Sequence, residues 1–279
     1  PTSKKLLDFF NYQAQDWTIM QASNHEHVQV LENNAGGHDF IMTDPHGHAA
    51  FIVDEIARLN AGDRLFICGD LTDRGPDNLK IIDALMAAQD KEIYCVRGNH
   101  EDLVLDVLNH RSACSGMMDA MGDELKQWEE IVNKSPYPLT QDSSRKLLDF
   151  VDARHANSKD FTPAEKRLQT KFWDSAALLL QNGGGWVFKL APEECQRVHG
   201  YMSKLPYVIH VGGEFNIVHA AMPSYENLLA ALEAGFEKKQ REEITWGRPD
   251  GDPNSGDIIA NPTISRTQIV TYSGHNSFK

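Results

Sequence analysis

The chain has 279 residues, with 27 Lys and Arg against 40 Asp and Glu, hence a formal net charge of −13. That acidity argues against nucleic acid or an anionic membrane as partner. An apolar share of 41% with charges of both signs throughout excludes a disordered or collagen-like chain, and the length allows one large domain with an insertion, or two modest domains, with a core that needs no disulfide or metal staple.

From Asp39 to His100 a strand, a polar turn and a helix repeat. Phe40-Ile41-Met42 runs toward Asp44, and residues 48–59 place Phe51, Ile52, Ile56 and Leu59 at helical spacing. Leu65 to Cys68 then leads into Gly69-Asp70, residues 77–88 read as a second helix, and Ile93 to Val96 leads into Arg97-Gly98-Asn99-His100. Strands alternating with such helices predict βαβαβ and parallel strands. Residues 105–181 instead carry three helix-like segments. Met117, Met121, Leu125, Trp128 and Ile131 or Val132 form one apolar stripe, read as helix packing, which Pro136 and Pro138 end. A middle segment surrounds Leu147, Leu148 and Val151. Thr162-Pro163-Ala164-Glu165 then supplies an N-cap, a proline at the first helical position and a capping-box Glu. Leu168, Phe172, Ser175 or Ala176 and Leu179 continue down one face to Asn182 and the stop at Gly183-Gly184-Gly185. Beyond that, short runs at Tyr207 to Val211, Asn216 to Val218 and Gln268 to Tyr272 predict a strand-rich second half.

Cys68, Cys95, Cys114 and Cys195 form no CxxC pair, and the first two sit in apolar strand-like runs, so a reducing, cytoplasmic compartment is expected. No apolar run approaches the roughly 18 residues of a membrane span. Pro1 opens the chain without Met, which reads as a trimmed piece.

Five strings put Asp, His, Asn or Arg at the end of an apolar run: Asp44-Pro45-His46-Gly47, Gly69-Asp70-Leu71-Thr72-Asp73-Arg74-Gly75, Gly98-Asn99-His100-Glu101, Val218-His219-Ala220 and Gly274-His275. Strand carboxyl ends of an open α/β sheet face one crevice, so these groups are expected to converge. A carboxylate and an imidazole two residues apart form a pincer for one cation, and mixed ligation suits Mn, Fe or Zn better than Ca. The ligand count exceeds the needs of one ion. Two ions bridged by Asp70 at roughly 3.5–4 Å are the economical answer, and such a pair suits hydrolysis of a phosphoester. Arg74 and Arg248 can grip phosphate oxygens with forked hydrogen bonds, His100 can donate a proton to the leaving alkoxide, and Asp73 can orient His100. Glu101 reads as a helix-start carboxylate that supports the ligands. His25, His27, His38, His110, His155 and His199 read as solvated, and His48 and His210 as packing or ligand-supporting groups.

In this order, DPHG, GDLTDRG, RGNHE, VHA and GH closely resemble the PPP phosphoprotein phosphatase family, most of all its bacterial and bacteriophage lambda-type branch. Asn182-Gly183-Gly184-Gly185-Trp186 and Trp246-Gly247-Arg248 share in the resemblance, which covers about residues 39–110 and 178–279. It implies an α/β (α+β) calcineurin-like metallophosphoesterase β-sandwich flanked by helices. The expected organisation is an N-terminal extension over 1–38 and a catalytic domain over 39–279, interrupted by a hairpin-like helical insertion over 111–177. By resemblance, Asp44, His46 and Asp70 hold the first of two divalent ions, usually Mn, Fe or Zn. Asp70, Asn99, His219 and His275 hold the second, Arg74 and Arg248 bind phosphate, and Asp73 with His100 protonates the leaving group. Pro45 and His219-Ala220-Ala221 depart from the usual pattern without removing a ligand, and the chain stops four residues after His275 where relatives continue.

The expected activity is a phosphoprotein phosphatase acting on phosphoserine or phosphothreonine, and on phosphotyrosine as an extension, by attack of a metal-bridging hydroxide. Its partners are then phosphorylated proteins, with the insertion contacting substrate or a partner. The alternatives are a symmetrical dinucleoside-polyphosphate hydrolase, whose members usually lack the acid corresponding to Asp73, and a weakly catalytic binding module acting through the insertion. Delivery into a host cell as a bacterial effector stands beside the cytoplasmic reading as an analogy.

Overall fold

The computed structural model describes residues 26–114, 122–134, 137–157, 161–212, 215–223, 225–247 and 270–273. Arg248 and His275 therefore lie outside the described residues, as do Met117 and Met121 of the apolar stripe.

Two sheets carry the domain. The first is parallel, in the order β2 (Asp39–Met42), β3 (Arg64–Ile67), β4 (Glu92–Cys95). Its connections are helices α1 (Ala49–Arg58) and α2 (Asn78–Ala87), as the alternating pattern predicts. The second sheet is mixed, in the order β1 (Val28–Leu31), β5 (Val208–Val211), β6 (Phe215–Val218), β7 (Val270–Ser273). β5 and β6 form its antiparallel pair, while β1 and β7 join in parallel.

Strand alternation explains the layering. In the central strand β3, Leu65 and Ile67 face a helix-side core, while Phe66 and the following Cys68 meet Ile209, Val211 and Ile217 of the other sheet. A strand buried on both faces reads as a continuous apolar run, which is what RLFIC presents. The helix-side core takes Ile52 from α1, Ile81, Ile82 and Leu85 from α2, Val104 and Val107 from α3 (Asn99–Ala113), and Val198 and Met202 from α7 (Pro192–Met202). Beyond the second sheet, Val208 and Val218 pack on Leu228 and Leu232 of α8 (Tyr225–Ala234) and Ile244 of α9 (Lys238–Trp246). The result is two sheets face to face with helices on both outer faces, the helix-flanked β-sandwich that the resemblance implies.

Several expectations need correction. Strand β1 lies within residues 1–38, set apart as an extension, yet it pairs with β5 along its whole length from Val28 to Val211, so the sheet begins before residue 39. Among the described residues the second half is not strand-rich: beside β5, β6 and β7 it holds α7, α8 and α9, which are only 9 to 11 residues long. Phe51 does not join the core face of α1; it is 63% exposed, while Ile52 is fully buried. Nor is His27 solvated. Its ring stacks on Phe236 at 6.2 Å, and its Nδ1 accepts the Phe236 backbone N–H.

The helical segment comprises α4 (Gly122–Lys134), α5 (Gln141–Asn157) and α6 (Pro163–Gln181) around a core of Trp128, Val132, Leu147, Phe150, Phe172, Trp173 and Ala176. Thr162 and Glu165 form the reciprocal capping box that starts α6. This helix serves two cores, since Leu179 near its end packs with the α1–α3 core. The limits of the segment thus fall inside α3 and α6, and it is continuous with the sandwich. No helix among the described residues is long and apolar enough to cross a membrane. Phe172, 1% exposed, tests the second core: Phe172→Ala should lower unfolding free energy by about 3–5 kcal/mol in urea titration, through lost burial and the cavity left behind.

Candidate active site

Four strand ends converge. β2 is followed by Asp44 and His46, β3 by Asp70 to Arg74, β4 by Asn99 and His100, and β6 by His219. Among the described residues, the non-glycine residues with positive φ are Asp44 (42°), His46 (40°), Asp70 (52°), Asp73 (70°) and Arg74 (63°), all of them predicted site residues. Left-handed backbone at such residues is disfavoured by about 1 kcal/mol or more each and persists only where surrounding bonds hold it. Those bonds are present. His46 and Gly47 donate their N–H groups to the carbonyls of Asp70 (3.0 Å) and Leu71 (2.9 Å). Asn78 Oδ1 accepts the Asp73 N–H at 2.7 Å.

The strongest restraint is Glu101. Its fully buried carboxylate accepts three backbone N–H groups, from Asp70 (2.9 Å), Leu71 (2.9 Å) and Gly98 (2.8 Å), and so ties the β3 and β4 loops together. Gly98 permits the approach, because any side chain there would collide with Asp70 Oδ1. The N-terminus of α3 adds the His100 N–H, donated to Asp70 Oδ1 at 3.1 Å.

Two clusters of possible ligand atoms share Asp70: His46 with Asp70 and His100, and Asp44 with Asp70 and His219. Asn99 joins the second, its Oδ1 lying 2.8 Å from His219 Nε2. Both imidazoles are oriented from behind. His46 Nδ1 faces the Thr72 carbonyl at 3.1 Å, and His219 Nδ1 faces that of Cys68 at 2.8 Å. Donation of Nδ1–H to those carbonyls leaves each Nε2, 3.5 Å from an Asp70 oxygen, with a lone pair, that of His46 also accepting from Arg74. Burial, against the pull of Asp70, also holds His46 down at about 4 and His219 below its ordinary value, so both rings are neutral as ligation requires.

These residues fit divalent cations. Asp44 Oδ1 is buried with no hydrogen-bond partner, and burial, then the charges of Asp70 and Glu101, push that carboxyl up to about 8. His219 Nε2 and Asn99 Oδ1 are two acceptors facing each other at hydrogen-bond distance. A cation relieves both problems, and a mixed oxygen and imidazole donor set suits a borderline first-row ion.

Beside the clusters lies a buried pair. His100 Nδ1 donates to Asp73 Oδ2 at 2.8 Å, and both side chains are fully buried. Burial alone would strip the proton from the ring, but the Asp73 hydrogen bond and the charges of Asp70 and Asp73 outweigh it and raise the His100 pKa. The Arg74 guanidinium spans the site, 2.7 Å from His46 Nε2 and 2.9 Å from His100 Nε2. The structure thus brings together Asp44, His46, Asp70, Asp73, Arg74, Asn99, His100 and His219.

A family profile described as calcineurin-like phosphoesterase matches residues 40–214, more than half of the chain. The chain belongs to that family. The clusters around Asp70 are its candidate metal-binding residues. No curated protein matches this calcineurin-like phosphoesterase. One solved structure, provisionally described as a diadenosine tetraphosphatase, is 16% identical with a TM-score of 0.38; the match covers 72% of this chain and 59% of that one. The chain thus spans under two thirds of that protein's length.

One residue that touches the site escaped the sequence reading. Trp186 entered only as part of the string after α6, yet its indole N–H donates to Asp73 Oδ1 at 2.6 Å across 113 positions. No local pattern marks such a contact, since a single Trp after a glycine run reads equally well as packing.

Glu101→Gln replaces an acceptor of three N–H groups by an amide that presents a donor to at least one of them. It should lower stability by about 2–4 kcal/mol in thermal melts, and weaken Mn binding at least about tenfold in calorimetry by releasing Asp70. The Asp44 carboxyl predicts the pH dependence of metal binding. Its native pKa is raised, so the metal-free protein holds a proton there until pH passes about 8. Mn binding should release that proton and tighten as pH rises from about 6 toward 8, read as buffer-dependent binding enthalpy.

Proposed function

We propose that this calcineurin-like phosphoesterase is a phosphoprotein phosphatase, related to the lambda-type branch of the PPP family, that hydrolyses phosphoserine and phosphothreonine monoesters. The observation that carries the reading is the buried Asp73–His100 pair beside the ligand clusters. A serine or threonine alkoxide is a strongly basic leaving group and needs a proton as the P–O bond breaks, whereas a nucleotide phosphate leaves with little help. A buried acid pair is thus of most use against alcohol monoesters.

In this reading Asp44, His46 and Asp70 hold one divalent ion, and Asp70, Asn99, His219 and His275 hold another, with Mn the favoured species. When bound, the ions supply positive charge to phosphoryl oxygens and lower the pKa of an attacking water. Arg74, with Arg248, grips the remaining phosphate oxygens. Because its guanidinium lies 2.9 Å from His100 Nε2, a phosphate held there is within reach of that nitrogen. His100 donates its Nε2 proton to the departing oxygen, and Asp73 fixes the ring and stabilises its charged form. The helical segment 111–177 serves as an insertion that contacts the protein substrate. Its Tyr137, 45% exposed, lies against Gly183, where an added side chain would meet both Tyr137 Cδ2 (3.0 Å) and Arg74 N (2.8 Å).

With Mn, the purified chain should release phosphate from phosphoserine and phosphothreonine peptides. His100→Asn should lower kcat by about 10²- to 10⁴-fold. Asp73→Asn should move the alkaline limb of the kcat profile to lower pH, because the imidazolium loses the partner that raises its pKa. Metal binding without phosphate release from any phosphopeptide, or more efficient cleavage of a dinucleoside polyphosphate to nucleotides, would contradict the proposal.

A further inference from the structure

The Asp73 carboxylate has no solvent to orient it, being fully buried. Its two oxygens are divided between two donors: Oδ2 accepts from His100 Nδ1 at 2.8 Å, and Oδ1 accepts from Trp186 Nε1 at 2.6 Å. An indole can only donate, so it reserves one oxygen and leaves the other for the imidazole. Asn78 holds the Asp73 backbone through its Oδ1 and gives its amide N–H to the Gly75 carbonyl.

Trp186 is itself fixed from two sides. It lies in the short 3-10 helix Gly185–Lys189 and packs against the α1–α3 core. Just before it, the Gly183 carbonyl accepts the Arg74 N–H at 3.4 Å. Gly183 has φ of +89°, and an added side chain would meet Arg74 N at 2.8 Å, so the turn closes on the Asp73-Arg74 loop only with glycine there. The loop ending α6 is therefore seated on both the phosphate-gripping arginine and the acid pair.

We propose that Trp186 is a positioning residue for leaving-group protonation: by donating its indole N–H to Asp73 Oδ1, it sets the carboxylate plane that aims His100 at the departing oxygen. The inference rests on the phosphomonoesterase reading above. Loss of the indole N–H leaves Oδ1 unpaired in a buried site, and the carboxylate turns to find another donor. Proton donation suffers while phosphate gripping does not.

Phenyl phosphate and p-nitrophenyl phosphate separate these effects with Mn present, because only the first has a leaving group that depends strongly on protonation. Trp186→Phe should lower kcat for phenyl phosphate by about tenfold or more, with KM within about twofold and a far smaller loss on p-nitrophenyl phosphate. Combined with Asp73→Asn it should add no further loss, since both act through one carboxylate. Independently of turnover, the Trp186 indole resonance in ¹⁵N-labelled wild type, assigned by sequential connectivity, should move in Asp73→Asn more than any other indole resonance. Equal losses on both substrates, multiplicative losses in the double variant, or an unmoved indole resonance would overturn the role of Trp186. A wild type inert toward both monoesters with metal bound would overturn the underlying reading and this inference with it.

Discussion

The site depends on one buried carboxylate bonded to backbone N–H groups. Glu101, at the third position of α3, receives N–H groups from the β3 loop and from the residue preceding its own helix. A carboxylate can accept all three, and although burial and the charge of Asp70 push it up to about 7, the backbone N–H groups of Gly98 and Leu71 oppose that shift. Through it, the helix start and the Asp70 turn become one rigid body. Asp70 can then stand between two ligand clusters without being pulled into either.

Crowded charge follows from that rigidity. Burial, and then the charges of Asp70 and Glu101, drive the carboxyl of Asp44 to about 8, and Asp44 Oδ1 finds no donor. Neighbouring imidazoles do not relieve this, because their Nδ1–H groups are committed to the Thr72 and Cys68 carbonyls. The fold thus holds an arrangement of acceptors that is unfavourable by itself and favourable around cations. Left-handed backbone at five of the same residues belongs to the same design: a loop that must aim several side chains into one crevice cannot keep ordinary φ at each.

Much of this was legible in the sequence. The alternation of strand and helix from Asp39 to His100 is strict, and each strand ends in a polar string, so convergence at the strand ends followed from topology alone. Glu101 was legible as a helix-start carboxylate because three positions separate it from Gly98. What stayed hidden has physical reasons. Strand β1 is only four residues long and sits beyond the motif-bearing region, so nothing local shows that Val28 pairs with Val208. Helices α7 to α9 are only 9 to 11 residues long and sit between and beside short strand-like runs. The Trp186 contact depends on how α6 docks, which no short pattern encodes.

The most direct measurement is a crystal structure of the chain grown with Mn, with anomalous difference maps recorded at the Mn edge. The account predicts two peaks, one among Asp44, His46 and Asp70 and one among Asp70, Asn99 and His219, with Glu101 still bound to its three N–H groups. No peak beside Asp70, or ions held only by surface carboxylates, would contradict it.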